Sequence, residues 1–422
     1  MMKRNFYRIL VLLIVIVTPT LVFISCEPNS IEADAPNAFL KFYGGKDDQE
    51  GFSVKQTPDG GFIILGSTKS FGRGGWDIYL VKVDKAGNEE WSKTYGGPDD
   101  DRGKSILVEE DGSYIVLGDL TRPDTIGSVS TNIDMYLMRI SQNGVQLDSA
   151  TFYNSINIDN PGVPIDNDTD EIAKEIQKTL DGGYVMVGST TKVDNIANAP
   201  RDFYLVKTFA DFSVDWENAK GFPGEDIANS VVQFDASTFL ITGSTADGVN
   251  AATGDLDMFV AKVKNDFGAN VGKINFGMTN IDIGNRIIKT TAGFAIISTT
   301  YSGNTKNAFL STINSNGDEL IASKYTRIGN GINEGADIQQ LGNGFIIIGT
   351  TTTNTGRDFY LTKTDMNGVI IWEKEIGGER GDDEGAAVIA VDNGFVLLGT
   401  TSFEDNTMIN LIKTNIEGDL IR

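Results

Sequence analysis

Seven polar side chains recur at one register of this chain: Gln49, Asp101, Glu171, Asp226, Asp282, Asn333 and Asp383. Two residues after each comes a small one: Gly51, Gly103, Ala173, Ala228, Gly284, Gly335 or Gly385. Brought to one place, such a ring of carboxylates and amides would offer oxygens to a cation or hydrogen bonds to a polar ligand. The repetition equally suits capping of backbone groups in a turn, because one binding site seldom needs seven equivalents. Asp47, Asp48, Asp99, Asp100, Glu225, Asp382 and Glu384 flank the column and predict a strongly negative rim. A second cluster is Asp166-Asn167-Asp168-Thr169-Asp170-Glu171. Alternating Asp166, Asp168 and Asp170 could ligate calcium. An EF-hand, however, would need Gly at 171 and Glu at 177, where Glu171 and Gln177 stand, so a looser calcium loop or a solvated acidic loop remains. A third candidate is Trp76, which follows the Gly-rich run Phe71-Gly72-Arg73-Gly74-Gly75. With Arg73 it could stack on a sugar or insert into a partner, or it could anchor its own loop.

What is missing narrows the chemistry. The chain has no histidine. That removes Ser-His-Asp and Cys-His catalysis, imidazole acid–base work and most zinc, copper and non-haem iron sites. No pair of acids stands apart from the recurring columns, so a carboxylate-based glycosidase or lyase has no located catalytic pair. These absences predict a protein that is not an enzyme and carries no cofactor, calcium aside. Against 35 Lys and Arg stand 58 Asp and Glu, a net charge of −23. That balance excludes nucleic acid as a partner of the folded part.

The candidates belong to a larger repeat. Around Gly66 the chain reads D-G-G-F-I-I-L-G-S-T, then, directly after Trp76, D-I-Y-L-V-K-V-D, and after a turn W-S-K-T-Y-G-G. Variants recur around Gly118, Gly188, Gly243, Ser298, Gly349 and Gly399, 50 to 70 residues apart. Each copy holds four short runs rich in β-branched and aromatic residues, separated by Gly, Asn and Asp turns. Pro58-Asp59-Gly60-Gly61 and Asp84-Lys85-Ala86-Gly87-Asn88 are two such hairpin turns. No helical period survives. A period near fifty that cannot bury its own apolar face predicts an all-β, seven-bladed propeller of four-stranded antiparallel blades; a parallel β-helix would not need two tight hairpins per repeat. The last copy stops at Arg422, four residues after its turn Gly418, where complete copies carry Trp91 or Trp372. Phe39-Leu40-Lys41-Phe42-Tyr43-Gly44-Gly45 aligns with Trp91-Ser92-Lys93-Thr94-Tyr95-Gly96-Gly97. The N-terminal segment should therefore complete the last blade and close the ring.

Two further columns are expected to be structural. Asp77, Asp134, Asp202, Asp257 and Asp358 open the third strand, and Trp91, Trp216 and Trp372 mark the fourth. Lys82, Lys207, Lys262, Lys363 and Lys413 are expected to point outward into solvent. The breaks in the pattern are the 154–170 insertion and the long loops 120–133, 192–201 and 246–256.

These motifs resemble the tandem W-x-K-T-Y-G-G, D-G-G-Y and D-x-Y-L-V-K repeats of secreted bacterial and archaeal propeller proteins, over residues 38–422. That resemblance implies a scaffold without one shared activity. Ahead of the repeats, Lys3, Arg4 and Arg8 precede an apolar run interrupted at Thr18-Pro19-Thr20, and Phe23-Ile24-Ser25-Cys26 resembles a lipoprotein processing site. The organisation read from sequence is a leader at 1–25, an acidic tether at 26–37 and a propeller at 38–422. Cys26 would be lipidated and the chain held at the outer membrane, periplasmic or surface-facing, with a monomeric propeller. The expected role is non-enzymatic binding of an envelope protein or glycan. A carboxylate-based polysaccharide enzyme and a calcium-stabilised structural module are the alternatives.

Overall fold

The computed structural model describes residues 38–123, 131–152, 169–191, 200–219, 221–247, 255–264, 272–276, 281–303, 305–316, 319–329, 332–354, 356–378 and 381–420. Cys26, Asp166, Asp168 and the whole 1–37 segment lie outside them. The described strands form seven four-stranded antiparallel sheets arranged as a propeller, as the repeat predicts. In blade 1, strand A is Gln49–Gln56, B is Phe62–Thr68, C is Asp77–Val83 and D is Glu89–Tyr95. The A strands of blades 2 to 7 are Arg102–Val108, Glu171–Lys178, Asp226–Gln233, Ile281–Thr290, Ile332–Leu341 and Asp383–Val391.

Strands B and C of blade 1 are buried along their full length, because neighbouring blades cover both faces. The apolar clusters accordingly cross blade boundaries: Val54, Ile64 and Tyr79 of blade 1 pack with Leu398, Ile409 and Leu411 of blade 7. The recurring tryptophans make the same crossing. Trp91 lies 6.3 Å from Tyr114, Trp216 5.8 Å from Phe239 and Trp372 5.9 Å from Phe395, each on the next blade. Where the A strands converge, a side chain has little room. A Cβ on Gly51 would stand 2.8 Å from the Gly399 carbonyl oxygen, and one on Gly385 2.5 Å from that of Gly349.

The ring closes through the N-terminal strand. Phe39–Tyr43 pairs antiparallel with Thr407–Thr414, from Phe39 opposite Lys413 to Tyr43 opposite Ile409. Tyr43 donates its hydroxyl to the Gly87 carbonyl at 2.7 Å, as Tyr95 does to Gly144 one blade later at 2.9 Å. The borrowed strand thus docks on blade 1 as an ordinary D strand docks on its neighbour.

Two expectations need correction. Lys82, Lys207, Lys262 and Lys413 are buried, not solvated. Strand C is covered on both faces, so the lysine must reach along the sheet to its end. There the Lys82 ammonium meets Asp59 of the A–B turn and Glu90 of strand D, both at 2.8 Å. Lys207 meets Asp181 in the same way at 2.9 Å. The 120–133 segment is also less of a loop than expected. Its base continues the hairpin of blade 2, with Leu120 opposite Asp134 and Pro123 opposite Thr131.

The lysine clamps set an acid response. At Asp59, burial pushes the carboxyl up, but hydrogen bonds from Lys82, Thr57 and Gly61 outweigh it and hold the group at about 2. Asp181 falls to about 2 through Thr179, against burial, and through Lys207. A carboxyl depressed in the fold stabilises above its unfolded value, near 4, and loses that contribution as pH falls towards 2. Stability of the wild type should therefore decline across that window. Lys82→Met with Lys207→Met should flatten the decline in urea unfolding measured at stepped pH; identical acid slopes would show that the clamps do not set it.

Candidate functional site

Six members of the recurring column are bonded at their own turns, and the seventh, Asn333, is buried with neither side-chain amide atom bonded to a described residue. Gln49, Asp101, Glu171, Asp226, Asp282, Asn333 and Asp383 are all buried. Asp101 accepts from the Gly97 amide at 2.5 Å and the Thr121 amide at 2.9 Å, and burial, the largest influence, pushes its carboxyl up. Asp226 accepts from the Phe222 amide at 2.5 Å. Gln49 takes the Gly45 amide at 3.0 Å and donates to the Asp47 carbonyl at 2.6 Å. Glu171 accepts from Thr190, Asp282 from Thr300 and Asp383 from Thr401, each across its own A–B pair. These side chains fasten the D-to-A connections to the end of strand B, so they do not form an open rim.

Trp76 is buried too. Two cations lie against its ring, Arg102 at 4.2 Å from the ring centroid and Lys69 at 4.7 Å. Its amide donates to Asp100 at 2.9 Å, and its carbonyl accepts from Asp101 at 2.6 Å. It clasps blades 1 and 2 together, while Arg73 stands exposed beside it. Asp170 is engaged as well, its carboxylate accepting from the Ile133 amide at 3.0 Å and its amide donating to Thr191 at 2.8 Å. Among the described residues no cluster of three or more acidic, Cys or His groups could hold a metal ion.

The axial channel is built by residues outside the recurring columns. Every A strand carries a β-bulge directly after its small residue, where the register with strand B slips by one. The extra residue is Phe52, Lys104, Lys174, Asn229, Asn285, Ala336 or Ala386 in blades 1 to 7. All seven line the same cavity on the axis. A bulge re-aims one side chain and leaves the alternation beyond it shifted, which is how seven otherwise equivalent strands each project a variable group inward. In sequence the bulge residue is one of several positions near the column that differ from copy to copy, so nothing local set it apart.

The channel has two parts. An inner chamber of about 180 Å³ is walled by the bulge residues together with Lys55, Glu175, Arg286 and Asp337. Above it, a vestibule of about 520 Å³ opens among the B-to-C ends of blades 4 to 7 and shares Lys174, Asn229, Asn285 and Ala336 with the chamber. Tyr301, Thr299, Glu334 and Arg357 stand on its wall. Arg286 crosses between blades, 2.5 Å from Glu175 and 3.3 Å from Asp337. Glu175 also accepts from the Val231 amide at 3.0 Å, and Asp337 from the Val388 amide at 3.1 Å. Lys104 pairs with Asp119 at 3.1 Å. Lys55 and Lys174 make no hydrogen bond or ion pair with a described residue. Burial lowers both ammonium groups, aided by Arg286 at Lys55 and by Lys104 at Lys174. The expected negative lining is therefore replaced at the axis by a mixed, cation-bearing one. The rim acids are partly neutralised in place, Glu334 by Lys306 and Arg357 (both 2.7 Å) and Asp48 by Lys69 at 2.9 Å.

The sequence matches no protein-family model and no curated protein. Solved structures share the fold. A polysaccharide lyase, an ulvan lyase bound to -[GlcA(1-4)Rha3S]-, is 12% identical over 90% of this chain and 98% of its own, with a TM-score of 0.53. Weaker likenesses are YCF48 bound to a D1 peptide, at 10% identity, 91% and 96% coverage and a TM-score of 0.47, and a Trypanosoma rangeli sialidase with sialic acid. The sialidase is 10% identical over 91% of this chain and 59% of its own, with a TM-score of 0.44. The neighbours of this propeller thus include glycan-active enzymes and binding propellers. The expectation of a non-enzymatic chain is corrected by the lyase: a propeller covering the same span carries polysaccharide-cleaving activity. The missing histidine and the lack of an isolated acid pair excluded particular mechanisms, not enzymes as a class. At these identities the likeness is one of fold.

Proposed function

We propose that this chain is an envelope lipoprotein, anchored through Cys26, that takes a glycan into the vestibule of its axial channel. The observation that carries the reading is the vestibule wall. Asn229 spends its amide N–H on the Gly284 carbonyl at 3.1 Å, and Asn285 on the Gly335 carbonyl at 2.6 Å. Each is left with a side-chain carbonyl free to accept from a hydroxyl. Glu334 and Arg357 add charged hydrogen-bonding groups, and Tyr301 adds an aromatic face. Few anchored polar groups around an aromatic ring suit a ring of hydroxyls with one apolar face. The ulvan lyase, of the same fold and bound to a disaccharide repeat of uronate and sulfated rhamnose, is compatible with that ligand class.

The test is calorimetric titration of the full chain with neutral and acidic oligosaccharides. Tyr301→Ala is expected to weaken binding roughly tenfold, the scale of one lost stacking contact. The same samples are read for bond cleavage by ultraviolet absorbance and chromatography: an unsaturated sugar product identifies a lyase, and an intact ligand identifies a binding protein. Heat-silent titrations with every sugar class, or affinity indifferent to Tyr301, would refute the vestibule as the site.

A further inference from the structure

We infer that the inner chamber is an anion seat, built to take one carboxylate or sulfate group, with Lys55 and Lys174 as its free donors. The inference deepens the glycan reading, on which it rests, by naming the ligand as acidic.

The first support is the charge count around the chamber. Lys55, Lys104, Lys174 and Arg286 bring four cations to the axis of a chain whose net charge is −23. Against them stand three carboxylates, Asp119, Glu175 and Asp337. Their pairing is uneven. Arg286 takes two acids, Lys104 takes one, and Lys55 and Lys174 take none directly. Lys55 is half-buried and Lys174 is exposed to the channel, and neither ammonium has a described acidic partner within ion-pair distance, so the arrangement offers two donors to one more negative group.

The second support is space. Around the ring the bulge residues change from Phe and Lys, through Asn, to Ala336 and Ala386. The two alanines open a sector opposite Lys104 and Lys174. The vestibule lies over that side, lined by Ala336 and Gly385. A ligand entering there meets the two asparagine side chains and Lys174, which line both compartments. Lys55 belongs to the chamber alone. An acid group on a sugar could thus seat below while its hydroxyls stay in the vestibule.

The third support is specificity against metals. The chamber carboxylates are already committed: Glu175 and Asp337 to Arg286 and to backbone amides, and Asp119 to Lys104 and the Ala173 amide at 2.7 Å. A divalent cation would have to displace those contacts and approach two unpaired ammonium groups. An anion displaces nothing.

The experiment is thermal unfolding of the full chain in sodium sulfate and in sodium chloride of equal ionic strength, followed by titration with matched neutral, uronate-bearing and sulfated oligosaccharides. Variants are Lys55→Met, Lys174→Met and, as a charge control, Lys46→Met at an exposed site. Sulfate should raise the melting temperature of the wild type and of the Lys46 variant more than that of either chamber variant, with general salting effects common to all. Acidic sugars should bind the chamber variants at least about tenfold more weakly, the scale of one lost charge-assisted hydrogen bond. Neither methionine should impair folding, because each removes an unpaired cation. Affinity should fall as pH rises through the lowered lysine range, since only the ammonium form attracts the anion. If neutral and acidic sugars bind alike and the chamber variants change nothing, the seat is overturned and the glycan reading stands. If sulfate binds through Lys55 and Lys174 but no sugar binds, the seat stands for a free small anion and the glycan reading falls.

Discussion

A chain beginning at Lys46 is expected to melt on the order of 10 °C below one that keeps Phe39–Tyr43. Phe39 and Tyr43 are buried in the cluster between blades 7 and 1, and losing two such rings removes about 4 kcal/mol of burial. The loss also strips the ladder from Thr407–Thr414, which becomes an open edge at the seam. The Tyr43 bond to Gly87 goes with it. A synthetic peptide of residues 36–46 should restore the melting temperature in a concentration-dependent way, because it binds only the folded ring. Equal melting temperatures with and without the strand would show that the seam is held by the blade faces alone.

Arg286→Met is the second large effect, with an expected cost of about 3–5 kcal/mol. The guanidinium is the only cation directly paired with Glu175 and Asp337 among the described residues, and it joins blades 3, 5 and 6 across the axis. Its removal leaves two carboxylates facing each other in a narrow chamber. Glu175 keeps the Val231 amide and Asp337 the Val388 amide, so both stay fixed where they repel. Combining Arg286→Met with Glu175→Gln and Asp337→Asn should recover most of the loss, which urea unfolding would measure. If the single variant loses less than 1 kcal/mol, water in the channel is screening the acids and the triad is not a structural tie.

Architecture was legible because it is written seven times. The match of Phe39-Leu40-Lys41-Phe42-Tyr43-Gly44-Gly45 to the fourth-strand motif also placed the closing strand in its register. The site was less legible, for two physical reasons. A polar column before each A strand looks the same in sequence whether it points into an open mouth or back into its own turn. Asp101 points back, because the Gly97 and Thr121 amides need an acceptor there. The bulge is the second reason. Strict alternation assigns Lys104 and Lys174 to the same face as Arg102 and Ile172, whereas one slipped residue turns them towards the axis. The buried lysines escaped notice similarly: nothing local to Lys82 announces that Asp59, 23 residues earlier, waits at the end of its strand.

The closing strand also sets a timetable. Phe39 cannot find Lys413 until the last blade exists, so the first of the described strands is the last to be paired. While that pairing is unmade, Thr407–Thr414 offers a vacant edge of fixed register, which the matching segment of another copy can fill. Two copies folding side by side could trade their Phe39–Tyr43 segments and keep every bond of the ladder. At high concentration the ring is therefore a natural substrate for strand-exchanged pairs, separable by size and resolved by unfolding and refolding at dilution.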